Sequence, residues 1–379
     1  MLIGIDGNEA NVIERVGVNQ YAFELIRSIF NLSPEWESKH RVIVYLKNPP
    51  LPDMPPQSEH FKYKILSGAG LWIIKNLMPN LFLDKERPDV LFSPSHYVPP
   101  LAPIPRVCSI MDLGYLEFSG QFKKYDFWQL KLWSAWSIFV SKAVIAISNS
   151  TKQDIVRHYP FASKKVVVTH LAHDETRFNL LISKDDVRRI KKKYSIVGDY
   201  VLFLSTLKPS KNIEGLLEAW KKTYKKWPKS RLIIAGKKGW LYETIFQKVK
   251  RLGLERNVIF TGFISEKDKP ALIAGAKVFV LPSFWEGFGL DVLNAMASGI
   301  PVVVSNKGSL PEVVGKAGIL VNPDKPGDIA GGIDKVFSMD TYEYNILVKK
   351  GLAQAEKFSW RKTALKTLKI LEMVVSSSS

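Results

Sequence analysis

The stretch Glu286-Gly287-Phe288-Gly289-Leu290 sets a carboxylate directly ahead of two glycines and an apolar, helix-forming run. Glycine lets a backbone approach a ligand closely, and the free N–H groups and positive dipole end of a following helix favour a phosphate. Asn294 falls eight residues after Glu286, about two helical turns on, and looks back toward the same place. Asp291, an acid in the first turn of that helix, is expected to face outward. Lys211 and Asn212 close the loop that begins at Ser205 and Thr206 and open another helical stretch. A lysine opposes the dipole at a helix start, so an anion is expected to meet Lys211, with Lys208 as a second candidate cation. Toward the amino terminus, Gly17 and Asn19 precede the first helical stretch, and His96 and Asp112 each follow an apolar run. His96 is a candidate for substrate contact. Asp112 either binds a hydroxyl or caps a turn, and Asn19 has the same two options.

Those residues need strands that end beside one another. Short apolar runs at 2–5, 42–46, 61–66, 90–92, 107–110, 144–147 and 166–169 alternate with helical stretches, and a second series runs through 200–205, 231–235, 258–260, 278–281, 302–305 and 318–321. Alternation of this kind predicts α/β architecture with parallel sheets, whose ligands bind beyond the carboxyl ends of the strands. The short, charge-dense stretch 183–194 interrupts the pattern. It predicts a first Rossmann-like domain over 1–180, a linker over 181–199 and a second such domain over 200–355. A last helical stretch breaks near 358–360, and 376–379 reads as a disordered polar tail. At 149–151, Asn149 or Ser150 is expected to cap a helix. Cys108 lies in an apolar run and reads as a buried thiol.

Glu286 through Pro323 resembles the donor-site signature of the retaining glycosyltransferases of family 4, the group 1 glycosyltransferases. The resemblance extends over nearly the whole chain and implies the GT-B fold: an acceptor-binding first domain and a nucleotide-sugar donor domain facing across a deep crevice, with a crossover helix over 356–375 packing back on the first domain. By that resemblance Glu286 contacts the transferred sugar and Lys211 grips the donor diphosphate. Gly17, Thr206, Gly287, Phe288, Gly289, Leu290 and Asn294 line the donor, while Asn19, His96 and Asp112 face the acceptor; Asp112, Glu286 and Lys211 are the catalytic candidates. Three positions depart from the family pattern. Asn294 replaces a second Glu, Thr206 stands where Arg is frequent, and Met111 replaces the His of a His-Asp pair. The implied activity is metal-independent transfer of a hexosyl group, with mannosyl as one option, from a UDP- or GDP-linked sugar to a hydroxyl of a saccharide or lipid-linked acceptor, with retention, in cell-surface polysaccharide or glycoconjugate synthesis. No cofactor is implied. A catalytically silent nucleotide-sugar-binding protein and a nucleotide-sugar epimerase of the same fold are the alternatives.

Composition bounds the rest. A hydrophobic share of 46% is that of a globular chain, and no apolar run is long enough to span a bilayer. The opening residues read as a strand, and the expected location is the cytoplasm. The net charge of +18 is spread over both halves, without a nucleic-acid-binding module. Aromatic and basic residues mix over 122–136, and 71–78 is apolar, so peripheral contact with the anionic inner face of the cytoplasmic membrane is a candidate; a solvated basic surface over buried helix faces is the other option.

Overall fold

A computed structural model describes residues 1–118, 120 and 124–377, without the side chain of Asp126. Phe122 and Lys123 of the aromatic-basic stretch, and Ser378 and Ser379 of the tail, lie outside the described residues. The chain divides into two units, Met1–Leu171 with Ser359–Ser379, and Ala172–Phe358.

In the first unit, β1 (Leu2–Asp6), β2 (Arg41–Leu46), β3 (Phe61–Ile65), β4 (Val90–Ser93), β5 (Arg106–Ile110), β6 (Ala143–Ala146) and β7 (Val166–Val168) form one sheet in the order β3-β2-β1-β4-β5-β6-β7. Every pairing is parallel, and Ile3 of β1 lies opposite Val42 on one side and Val90 on the other. The second unit carries β8 (Tyr200–Leu204), β9 (Arg231–Ala235), β10 (Val258–Gly262), β11 (Val278–Leu281), β12 (Val302–Ser305) and β13 (Ile319–Val321), in the order β10-β9-β8-β11-β12-β13, again all parallel. The central strands read as unbroken apolar runs because helices cover both faces: β4, β6, β8, β11 and β12 are buried at every residue.

The boundary between units differs from the expected linker. The chain passes from one unit to the other at Leu171/Ala172, and residues 184–193 are a helix of the second unit. Their density of charge is a helix signature instead of a linker's. Ser183 caps the helix by accepting from Asp186 N, Asp185 and Asp186 occupy the positive end, and Lys191, Lys192 and Lys193 the negative end. Ile190 is buried on the inner face, while Arg189 and Lys193 reach Asp268 at 2.9 and 2.5 Å. A second passage at Phe358/Ser359 brings the helix Trp360–Ser376 into the first unit. There Tyr21 and Trp360 pack at 6.3 Å, and Thr363 Oγ1 donates to His170 O at 2.6 Å. This helix runs through Ser376, so the expected tail does not begin there. Ser148, not Asn149 or Ser150, caps the helix Asn149–His158, since its Oγ accepts from Thr151 N at 3.0 Å. Cys108 is buried, which pushes its thiol up to about 11.

Candidate active site

Each sheet reverses its strand order at one point, between β1 and β4 in the first unit and between β8 and β11 in the second. The loops beyond such a point diverge to opposite faces of the sheet and leave a ligand-sized gap. In the second unit those loops carry Lys211 and Glu286. Lys211 ends a short turn of helix, Pro209–Lys211, beyond β8, and its Nζ donates to Glu286 Oε1 at 2.6 Å. Both side chains are 11% exposed, so the pair is largely shielded from solvent yet reachable. The anion that meets Lys211 in this structure is therefore Glu286.

The carboxylate is held from several sides. Ser283 Oγ donates to the same Oε1 at 2.8 Å, and Ser309 Oγ donates to the Glu286 carbonyl at 2.9 Å. Gly308 lies so near the Glu286 backbone that a Cβ there would stand 3.0 Å from its carbonyl oxygen. On the Lys211 side, Asn212 adopts a left-handed backbone and donates through Nδ2 to Pro282 O and Pro323 O, at 3.1 and 2.7 Å. Phe284 N donates to Ser210 O at 2.9 Å, which ties the two loops directly. Ser283, Ser309 and Asn212 were not among the sequence-derived site residues. Their signal was position: each lies within a few residues of a strand end, as Lys211 and Glu286 do.

Beyond Glu286, Gly289 holds φ of +96° at the start of the helix Leu290–Ala297, and no side chain caps that helix. Leu310 Cδ2 would lie 2.6 Å from a Cβ at Gly289, so space and backbone both demand glycine. Phe288 is buried and packs edge-on against Phe358 at 5.6 Å. Asn294 is also buried, and its Nδ2 donates to Asp291 Oδ1 at 3.1 Å. Asp291 thus does not face outward as expected. It is three-quarters buried, and Lys269, 3.9 Å away, carries a second bridge to Glu266 at 2.6 Å, which Arg177 also meets at 2.7 Å. Burial pushes the Asp291 carboxyl above its usual range, with the Lys269 charge pulling the other way. A cation from another helix, Lys269–Ala274, explains its inward position.

Thr206 lies in a loop knitted to the turn after β9. Leu207 N donates to Lys237 O and Gly239 N to Leu207 O, both at 2.9 Å, and a Cβ on Gly236 would collide with Ser205 O. Lys208 Nζ sits over the Trp240 ring at 4.8 Å.

The switch point of the first unit is acidic. Asp6 ends β1 and accepts from Asn8 N and Nδ2 at 3.1 and 2.7 Å, yet burial raises its carboxyl to about 6. Burial and the Asp6 charge also raise Glu9, whose Oε2 accepts from Asn19 Nδ2 at 2.6 Å. Asn19 is accordingly engaged in fixing the loop. Gly17 has φ of +50° in open space, so its backbone angle alone calls for glycine. After β4, burial lowers His96 to about 4 despite the Asp112 charge, and its Nε2 is buried without a hydrogen-bond partner. Asp112 is exposed and caps a turn, accepting from Gly114 N at 2.8 Å. Among the described residues no group of three His, Cys, Asp or Glu is placed to hold a metal ion, and no helix is long and apolar enough to cross a membrane.

Comparison with known proteins supplies a family context for this geometry. The family model for "Glycosyl transferases group 1" matches residues 186–351, and that for "Glycosyltransferase Family 4" matches 25–177. O-antigen chain mannosyltransferase B of Escherichia coli is 34% identical over 243 residues, 63% of this chain and 62% of that protein. The serotype-specific mannosyltransferase WbdA of the same organism is 35% identical over 228 residues, 59% of this chain but only 28% of its own length. The chain thus spans less than two thirds of either curated relative. Among solved structures, HepE from Anabaena in complex with UDP and glucose superimposes with a TM-score of 0.73 at 19% identity, covering 98% of this chain and 99% of that one. That likeness establishes the fold, the two-domain α/β GT-B class.

Proposed function

This chain belongs to the group 1 glycosyltransferases of family 4, and from that premise we propose that it moves a hexosyl group from a nucleotide diphosphate sugar to an acceptor hydroxyl. The observation that carries the proposal is the Lys211–Glu286 pair at the switch point, beside an uncapped helix whose first turn is reached through a positive-φ glycine. A diphosphate entering there competes with Glu286 for the Lys211 ammonium and meets the N–H groups of the helix start. Released from Lys211, the Glu286 carboxylate is available to orient the sugar. The bond from the anomeric carbon to the phosphate oxygen breaks, a bond to the acceptor oxygen forms on the same face, and the acceptor proton leaves with the nucleoside diphosphate. Asn294 commits its Nδ2 to Asp291, which leaves its carbonyl oxygen to accept from a ribose hydroxyl.

Mannose is the proposed sugar, because both curated relatives are named mannosyltransferases, and GDP- and UDP-linked donors both fit this reading. The name of the first, an O-antigen chain mannosyltransferase, supports a role in polysaccharide synthesis, for which a saccharide or lipid-linked acceptor is proposed. Positive charge from Lys211 and the helix start serves the leaving diphosphate, so the reaction is proposed to need no divalent metal. The first unit would supply the acceptor side, with His96 neutral near pH 7 and able to hydrogen-bond a sugar hydroxyl.

The test is transfer of labelled hexose from a panel of GDP- and UDP-sugars to saccharide and polyprenyl-linked acceptors, with and without EDTA, reading the anomeric configuration by NMR. Chelator-resistant transfer with retention is expected. Nucleotide binding without turnover would identify a silent binding protein, and conversion of the donor without acceptor would identify an epimerase.

A further inference from the structure

At the amino ends of β1 to β4, the surface of the first unit sinks into a cavity of about 540 Å³, a volume ordinary for a small-molecule site. β1 runs from Leu2, which lines this cavity, to Asp6 at the switch point, and four steps of about 3.3 Å put the two about 13 Å apart. The cavity is therefore separate from that switch point and lies at the other edge of the sheet.

Its lining gathers bases from two segments of the chain. Lys39 precedes β2 and Arg41 opens it, while Lys85 and Arg87 lie just before β4, and all four are exposed. None of the four forms an ion pair with a described residue, whereas Lys64, Arg177 and Lys248 elsewhere each meet a carboxylate. The backbone that carries them is fixed: Arg41 N donates to Met1 O at 2.9 Å, and Asp89 N to Leu2 O and Val42 N to His60 O, both at 2.8 Å.

Two imidazoles add a second observation. His40 and His60 line the same cavity, and the Nδ1 of each is buried without a hydrogen-bond partner among the described residues. His40 is only 7% exposed, and its Nε2 is already committed to Glu372 Oε1 at 2.8 Å. Buried polar atoms are ordinarily bonded, so two orphaned nitrogens beside one cavity point to a missing partner. Acids share the rim as well. Asp89 is occupied, accepting from Leu2 N at 2.7 Å, but Glu37 and Glu86 form no ion pair with a described residue. Cations and carboxylates thus stand side by side as separate donors and acceptors, a pattern that suits a ligand with an anionic group and hydroxyl groups.

We propose that this cavity binds a small phosphate ester that carries hydroxyl groups. The forked guanidinium groups of Arg41 and Arg87 match the oxygens of a phosphate, and Glu37 and Glu86 accept from the hydroxyls. A ligand seated there also gives the orphaned imidazole nitrogens a partner, as acceptors from a hydroxyl when neutral and as donors to phosphate when protonated. Sugar phosphates and nucleoside monophosphates share this chemistry. The inference goes beyond sugar transfer and stands whether or not the sugar-transfer reading does.

The test is NMR of the imidazole nitrogens in the full, histidine-labelled chain, which has six histidines. The probes are glucose 6-phosphate, adenosine 5′-monophosphate, glucose and sulfate, at matched ionic strength. Saturable shifts of the His40 and His60 signals are expected with a phosphate ester, not with glucose, and the tighter ester identifies the source of the phosphate. Arg41→Ser with Arg87→Ser should raise the dissociation constant at least about tenfold in calorimetry, with the melting temperature of the unliganded chain unchanged, since both side chains are exposed. Lys225→Ser with Lys229→Ser removes two exposed charges from the second unit and should leave the constant as in wild type. The proposal falls if neither ester moves the His40 and His60 signals, if sulfate moves them as much as the esters do, or if the two double variants weaken binding alike.

Discussion

The two switch points share a strand order but differ in charge. In the second unit an ammonium and a carboxylate face each other at 2.6 Å, with Ser283 completing the carboxylate's contacts. In the first, Asp6 and Glu9 are both raised by burial, and the nearby imidazole of His96 is lowered. A paired site is ready for a charged ligand that exchanges partners with it. A site where burial disfavours the charged forms of its acids and histidine is a poor host for a further buried charge. One sheet topology therefore carries two electrostatic environments, and the side chains at the strand ends make the difference.

The sharpest way to break the comparison is at the carboxylate. Glu286→Gln keeps the shape and removes the charge, so kcat for hexosyl transfer should fall between about 10² and 10³-fold, while affinity for nucleoside diphosphate should rise because Lys211 loses its competing carboxylate. Steady-state kinetics beside calorimetric titration reads both, and a kcat within threefold of wild type would remove Glu286 from the reacting centre. Next is the pair itself. Lys211→Ala leaves a largely buried carboxylate facing only Ser283, which should destabilise the second unit by about 3 kcal/mol and weaken nucleoside diphosphate binding. Adding Glu286→Gln should restore part of that stability in urea melts; a double variant no more stable than Lys211→Ala would show the two side chains to be uncoupled.

The first unit is probed by pH. Folded Asp6 holds its proton to about pH 6, whereas the unfolded carboxyl loses it near the ordinary value of 3.8. Its contribution to stability is present below that lower value and is lost as pH rises through the folded pKa. His96 acts in the opposite sense: its contribution is present above the ordinary value of 6.5 and is lost as pH falls toward about 4. Asp6→Asn should therefore raise stability by about 2 kcal/mol at pH 7.5 and by almost nothing at pH 4, as thermal melts at the two pH values would show. An equal change at both would mean that packing, not protonation, governs the site. The smallest effect is expected at Asp291→Ala, which frees the Asn294 amide to rotate. Donor KM should rise about threefold to tenfold with kcat preserved, and a fall confined to kcat would contradict a positioning role.

Strand runs were legible because parallel strands buried on both faces are written as short, continuous apolar segments, and each of the thirteen strands among the described residues overlaps a run read from the sequence. Lys211 and Glu286 were legible for a related reason, since both lie on the loops that follow such runs. Less legible were residues whose meaning depends on a partner distant in the chain. Nothing local distinguishes Ser309 from any other turn serine, and its two contacts to the Glu286 carbonyl arise only when the loops after β11 and β12 lie side by side. Asp291 looked like an outward first-turn acid until Lys269, from a different helix, gave it a reason to turn inward. Local charge density suggested a linker at 183–194, although the same charges, ordered by sign along a helix, match its dipole.

The sequence by itself determined the α/β alternation, the two Rossmann-like halves and the strand-end positions of the reactive side chains, because period, glycine placement and turn chemistry are local properties. Only the tertiary structure decided which of those side chains meet, that Lys211 is neutralised by Glu286, that Asn19 holds Glu9, and that Trp128, Trp136 and Phe139 of the helix Lys124–Val140 are exposed. Ion pairs and exposed faces are relations between segments far apart in the chain, and burial, which sets their strength, exists only once the segments have packed.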